Sequence, residues 1–166
     1  MLKTAIIGGS GYTGGELLRL LLYHTEVEIA AITSEKSVGK PAAQLFPNLK
    51  DKTDLIFEKN NPAAISKNAD FVFLCLPHCA AMDSAKAYLK NGKKVVDLSA
   101  DFRLKDYRVY EKWYKEKHTA NDLLKKAVYG LPELYRDKIQ NAELVANPGC
   151  YPTSAILALA PLFKSK

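Results

Sequence analysis

The stretch KTAIIGGSGYTGGELLRLLLYH, residues 3–24, decides how the rest of the chain is read. KTAIIG (3–8) is an apolar run of strand type. TGGELLRLLLYH (13–24) places leucines at 17, 18, 20, 21 and 22, the broad apolar face of a helix. Between them Gly8, Gly11 and Gly14 recur as G-x-x-G-x-x-G. Glycine suits this place because the chain must turn sharply out of the strand. Backbone N–H groups can then approach a pyrophosphate with no Cβ in the way, at the positive end of a helix. The spacing is a variant of the dinucleotide-binding fingerprint, and it sits in the strand–turn–helix context that the fingerprint requires. Ser10 and Thr13 add hydroxyl donors. The plainer alternative is a tight turn with no ligand.

Outward from this unit the alternation continues. Strands are predicted over 27–33, 54–57, 70–76, 94–99 and 143–147, and helices over 62–68, 79–92, around RVYEKWYKEKH in the charged segment 106–128, and from Cys150 onward. The run DFVFLCL (70–76) is continuously apolar, as expected of a strand covered on both faces. Strands and helices alternating through short links predict an α/β fold, a doubly wound, Rossmann-type parallel sheet with helices on both faces.

Composition agrees with a globular enzyme-sized domain. The 166 residues are 48% hydrophobic and 25% charged, enough apolar material for a core. No segment reads as a signal peptide or a membrane span, and three unpaired-looking cysteines suggest a reducing, cytoplasmic setting. The net charge of +6 comes from lysines scattered along the chain, without a zinc-finger, RRM or KH pattern. This favours small anionic ligands over nucleic acid.

Two choices bear on chemistry. The second strand runs into Thr33-Ser34-Glu35-Lys36, so the position about twenty residues beyond Gly14 is a serine where an NAD-binding chain carries an acid. Ser34 and Lys36, with Lys40 as a further candidate, suit a 2′-phosphate and point to NADP; Glu35 argues for NAD if it faces the ribose. Among the cysteines, Cys75 reads as a core residue. Cys79 and Cys150 both stand near helix starts, where the dipole favours the thiolate. Cys79 is expected to pack. Cys150 follows Asn147-Pro148-Gly149 and precedes Pro152, which suits the first helical position, and Thr153 and Ser154 crowd the same turn with donors. That is a sound arrangement for a nucleophile beside an oxyanion pocket. A metal site from Cys75, His78 and Cys79 has the wrong spacing for a strand-to-helix bend.

Taken together, GGSGYTGGELLRLL (8–21), LPH (76–78), DLSADFRL (97–104), YGLPEL (129–134) and NPGCYPT (147–153) resemble the N-acetyl-γ-glutamyl-phosphate reductases of arginine biosynthesis, which share a superfamily with the aspartate-semialdehyde dehydrogenases. The resemblance implies NADPH-dependent reduction of an acyl phosphate to a semialdehyde with release of phosphate. It implies Cys150 as the nucleophile, Arg103 and Ser99 as substrate-binding residues, and a cofactor set of Gly8, Ser10, Gly11, Tyr12, Thr13, Gly14, Ser34 and Lys36, with Leu76, Pro77 and His78 at the nicotinamide end. A salt bridge from Arg103 to Asp101 or Asp106 is the plainer reading of that arginine.

Members of that family continue into a second domain that supplies an acid–base histidine and most of a homo-oligomer interface. On this resemblance, residues 1–147 form the dinucleotide-binding domain and 148–166 begin the catalytic and dimerisation domain. His24, His78 and His118 fall outside the matched histidine position, so little turnover is expected of the chain alone. The apolar segment 154–163 is expected to pack on the nucleotide domain or on a second copy. A dinucleotide-binding module without turnover, and aspartyl-phosphate or aminoadipyl-phosphate substrates, remain as alternatives.

Overall fold

The computed structural model describes residues 1–165; Lys166, the last residue of the segment assigned to a second domain, lies outside the described residues. Six strands form one parallel sheet: β1 (Leu2–Ile7), β2 (Val27–Ile32), β3 (Phe71–Leu74), β4 (Lys94–Asp97), β5 (Val128–Tyr129) and β6 (Leu144–Ala146). Their order across the sheet is β2-β1-β3-β4-β6-β5. The helices are α1 (Tyr12–Leu21), α2 (Ala42–Leu45), α3 (Pro62–Ile65), α4 (Ala81–Lys90), α5 (Tyr107–Tyr114), α6 (Asn121–Lys126), α7 (Pro132–Gln140) and α8 (Cys150–Lys164), with a 3₁₀ turn at Pro47–Leu49.

Both faces of the sheet are covered, as the doubly wound reading requires. Along β1, Ile6 joins one apolar cluster with Leu18 and Leu21 of α1, Ile32 and Phe57. Ala5 and Ile7 point the other way, into a cluster with Met82, Ala85 and Tyr88 of α4 and Tyr110 of α5. The alternation of side chains along the strand therefore feeds two cores. Each fully buried leucine or isoleucine in them contributes about 1.5–3 kcal/mol.

Three expectations need correction. The segment 54–57 is not a sheet strand. Ile56 makes only an isolated antiparallel bridge to Pro41, while Phe57 is drawn into the α1-side core and exchanges backbone hydrogen bonds with Gly39 and Lys40. The true sixth strand is β5, two residues long and hidden in a charged segment where periodicity is silent. Of the two placements expected for the helix from Cys150, on the nucleotide domain or on a second copy, the first is not found: none of its residues is buried, and Leu162 and Phe163 are 63% and 71% exposed. Among the described residues, no helix is long and apolar enough to cross a membrane.

The order places the reversal between β1 and β3. From β1 the chain goes outward to β2, then crosses back to β3 on the other side of β1. Crevices at such reversals, at the carboxyl ends of the strands, are where α/β sheets bind ligands. Gly8 makes the crevice possible. Its φ is +79°, and a Cβ there would lie 2.5 Å from the Cys75 carbonyl oxygen. Gly14 meets the backbone of the same turn, since its Cβ would lie 2.5 Å from Gly9 Cα.

Gly8→Ala is predicted to lower stability by about 2 kcal/mol or more, because left-handed strain and backbone overlap act together. At Gly11 the nearest atom to an added Cβ is 3.9 Å away, so Gly11→Ala should cost no more than about 1 kcal/mol. Urea denaturation of the two variants checks the contrast; equal effects would contradict it.

Candidate active site

Two clefts open along the carboxyl edge of the sheet. The first, about 490 Å³, is lined by the glycine turn (Gly8, Ser10, Gly11, Tyr12, Thr13), the end of β2 (Ser34, Glu35, Lys36) and the end of β3 (Cys75, Leu76, Pro77). The second, about 620 Å³, is lined by Thr13, Leu98, Arg103, the 147–150 loop, Thr153 and Ser154. Thr13 lines both, so the two clefts meet at the first turn of α1.

The first cleft fits a dinucleotide on its own chemistry. Gly11 is the N-cap of α1 and offers no side-chain oxygen, so the amides of the first turn have no capping side chain, and Tyr12 and Thr13 are exposed at the cleft. The Ser34 hydroxyl donates to Ser10 Oγ at 2.8 Å and accepts from the amides of Lys36 and Ser37 at 3.2 and 3.1 Å. Ser34 is buried and holds the end of the cleft formed after β2, where Lys36 and Glu35 line it together. Gly14 shapes the turn from behind without lining the cleft. His78 does not line it either: its Nδ1 accepts the Ala100 amide at 3.0 Å and its ring packs edge-on against Tyr114 at 5.7 Å.

Strand pairing builds the second cleft. Asp97 of β4 is in register with Ala146 of β6, and the Asn147 amide donates to the Asp97 carbonyl at 2.8 Å. The loop after β4 and the loop after β6 thus lie side by side. Arg103 joins them: Nε donates to the Asn147 carbonyl at 2.7 Å and Nη2 to the Leu98 carbonyl at 3.0 Å. Its remaining nitrogen, Nη1, is the nearest atom to Gly149, 3.2 Å from where a Cβ would stand. The plainer reading of a salt bridge to Asp101 or Asp106 does not hold, since Asp106 pairs with Arg108 and Arg103 has no carboxylate partner among the described residues.

Cys150 is exposed and is the first residue of α8, with Gly149 as an N-cap that makes no side-chain hydrogen bond. Pro152 takes the third helical position, not the first, where its missing N–H is equally free of cost. The thiol therefore stands beside the free amides of a second helix N-terminus and one arginine.

Ser99 is not brought to this cleft. It is buried, donating to Asp97 Oδ2 at 2.8 Å and accepting the Asp101 amide at 3.1 Å. Cys79 also differs from expectation. It is exposed, not packed, and its φ is +71°, because its own amide and that of Ala81 both turn to the Asp101 carboxylate at 2.8 and 3.1 Å. Cys75 is half-buried, and burial pushes its thiol up to about 12. No cluster of three or more metal-ligating groups occurs among the described residues.

Asp97 and Asp101 are the residues that sequence reading passed over. Both are fully buried, and together they hold the 97–103 loop in place. The signal was present as the D-x-S-x-D alternation straight after a strand, a pattern of carboxylates and hydroxyls that bond to nearby amides. Burial pushes the Asp97 carboxyl up to about 6; its two hydrogen bonds from Ser99 and the nearby Arg103 act in the opposite direction.

A doubly wound sheet with a glycine turn at its strand-order reversal is the architecture of a dinucleotide-binding domain. The chain belongs to the family described as semialdehyde dehydrogenase, NAD binding domain, which matches residues 3–142. It is 58% identical over its full 166 residues to the N-acetyl-gamma-glutamyl-phosphate reductase of Geotalea daltonii, and 54% identical to that of Geobacter sulfurreducens. Each match takes in 48% of the relative, so the chain spans about half the length of these curated relatives. Among solved structures it is similar to the aspartate semialdehyde dehydrogenases of Candida albicans and Vibrio cholerae, with TM-scores of 0.71 and 0.68 at 18% identity. The alignments cover 99% of this chain and 47% of each of those chains and carry the fold alone.

The Asp97 environment predicts a pH effect. Between the ordinary aspartate value and about 6, the folded chain holds a proton that the unfolded chain has released. Stability from this group is therefore complete at low pH and lost as pH rises through about 6. Relative to Asp97→Asn, the wild type should lose roughly 2 kcal/mol between pH 4 and pH 7. Parallel urea titrations of the two at both pH values test this; a difference constant with pH would contradict it.

Proposed function

We propose that the protein reduces an acyl phosphate, N-acetyl-L-glutamyl 5-phosphate, to its semialdehyde with NADPH, by way of a thioester on Cys150. The observation that supports this most is that Thr13 lines both clefts, so a nicotinamide reaching past Leu76 and Pro77 and an acyl group on Cys150 meet at one corner. The names of the relatives supply the substrate.

The residues divide the work as follows. The free amides of α1, with Ser10 and Thr13, hold the pyrophosphate. Lys36 receives the 2′-phosphate, and the buried Ser34 hydroxyl holds the turn that presents it. Arg103, already fixed to two backbone carbonyls, turns Nη1 toward the phosphoryl group. A charge held in a set orientation favours the departing phosphate without reorganising. The Cys150 thiolate attacks the acyl carbon, a C–S bond forms, and the bond to the phosphate oxygen breaks. A nicotinamide held in the first cleft would supply the hydride to the acyl carbon, and the Cys150 sulfur would leave as the thiolate when the C–S bond breaks.

A second reading, dinucleotide binding without efficient turnover by this chain, has its own support. Among the described residues no histidine lies in the Cys150 cleft. His118 is buried against the Asp101 carbonyl at 2.8 Å, His78 accepts from Ala100, and His24 accepts from the Glu26 amide. Loss of general acid–base help lowers rates by about 10²–10⁴-fold. The proposed setting is cytoplasmic, with a homo-oligomer joined through apolar surface such as that of α8.

Calorimetric titration with NADPH and NADH tests the cofactor assignment. The wild type should favour NADPH. Ser34→Asp keeps an acceptor for the Lys36 and Ser37 amides and adds negative charge where the 2′-phosphate sits, so it should weaken NADPH by about tenfold or more relative to NADH. Binding of neither nucleotide would leave the proposal without its reductant and overturn it.

A further inference from the structure

At the opposite edge of the sheet from β2, a third cleft of about 350 Å³ lies between the carboxyl end of α6, the edge strand β5 and α7. It shares no residue with the dinucleotide cleft or the Cys150 cleft. Four lysines line it, Lys105, Lys125, Lys126 and Lys138, together with Tyr129 and Tyr135, and no acidic residue does.

Four ammonium groups around one concavity repel one another, and this is relieved in most proteins by interleaved carboxylates. Here none of the four makes an ion pair among the described residues. Helix C-termini attract cations: Lys125 and Lys126 stand in the last turn of α6 and Lys138 in that of α7. Lys105 Nζ donates to the carbonyls of Leu124 (3.1 Å) and Ala127, at the end of α6. That contact takes up the Leu124 and Ala127 carbonyls, and Lys126 also lines a neighbouring cleft with Asp122 and Glu143. Lys138 instead sits over the Tyr135 ring, 5.6 Å from its centre. Helical geometry breaks at Tyr135 (φ −131°, ψ 23°), the residue whose ring lines the cleft.

We propose that this cleft is a binding site for a small, multiply charged phosphate of the diphosphate class. Lysines are compact point charges that suit phosphate oxygens arranged around a tetrahedron, where planar carboxylates favour arginine forks. Two phenols add O–H donors of the kind that complete phosphate coordination. The volume is at the lower limit for a small-molecule site and accepts a diphosphate more readily than a larger metabolite. The site stands independently of the cofactor assignment, since it uses none of those residues.

The test is calorimetry of the chain with inorganic pyrophosphate, with and without NADPH. One equivalent should bind, and NADPH should not displace it. Lys125→Ala combined with Lys138→Ala removes two exposed side chains that make no hydrogen bond in the fold, and should weaken binding at least tenfold. A charge-matched control, Lys59→Ala with Lys67→Ala, removes two exposed lysines elsewhere and should leave it within about twofold. ADP identifies the source: tenfold tighter binding than pyrophosphate assigns a nucleoside diphosphate stacked on a tyrosine, and equal binding assigns a free diphosphate. No pyrophosphate binding, displacement by NADPH, or equal weakening by both lysine pairs would overturn the proposal.

Discussion

The Cys75 carbonyl oxygen occupies the space that a side chain on residue 8 would need. That close approach of two backbones governs much of the rest. It lets β1 end directly against β3, so α1 starts above the reversal in strand order and its unpaired amides face the crevice. A larger residue would push the turn away from β3 and take the phosphate-binding amides with it. Helix dipole, hydroxyls and serine network all work from the position that this contact sets.

A second constraint ties the thiol to the cofactor side. Arg103 bonds across from the loop after β4 to the loop after β6, and the loop that carries it is held by two buried aspartates. Asp101 reaches further, accepting the amides of Cys79 and Ala81, while His78 accepts the Ala100 amide. The LPH turn at the first cleft and the arginine beside the cysteine are therefore parts of one hydrogen-bonded unit. His78 and Ser99 act within that unit as supports, and neither lines the cleft to which the resemblance assigned it.

What could be read from the sequence follows from which forces are local. The glycine turn, the alternation of elements and the Cys150 helix start depend on neighbours a few residues away, and they were legible. So were nine of the eleven residues lining the first cleft, because a strand end and a turn carry their chemistry in their own residue types; Cys75, read as core, and Glu35, weighed only as an argument for NAD, were the exceptions. Strand β5 was not legible, since two residues give no period and its pairing with β6 is a tertiary event. The fate of Ile56 and Phe57 was hidden for the same reason: an apolar run of four fits a strand or a core-filling loop equally well. Ser99, Asp97 and Asp101 illustrate the limit at the site. Their residue types announce hydrogen bonding, and only the packed loop decides whether a ligand or an amide receives it.

The central claim is that Cys150 acts as an acyl acceptor from the N-terminus of α8. Mass spectrometry of the chain after mixing with N-acetyl-L-glutamyl 5-phosphate in the absence of nucleotide tests it most directly. One acyl group per chain is expected, carried on Cys150, with release of one equivalent of phosphate, and no adduct in Cys150→Ser. An adduct on Cys79, or none on any cysteine in a chain that still binds NADPH, would contradict it.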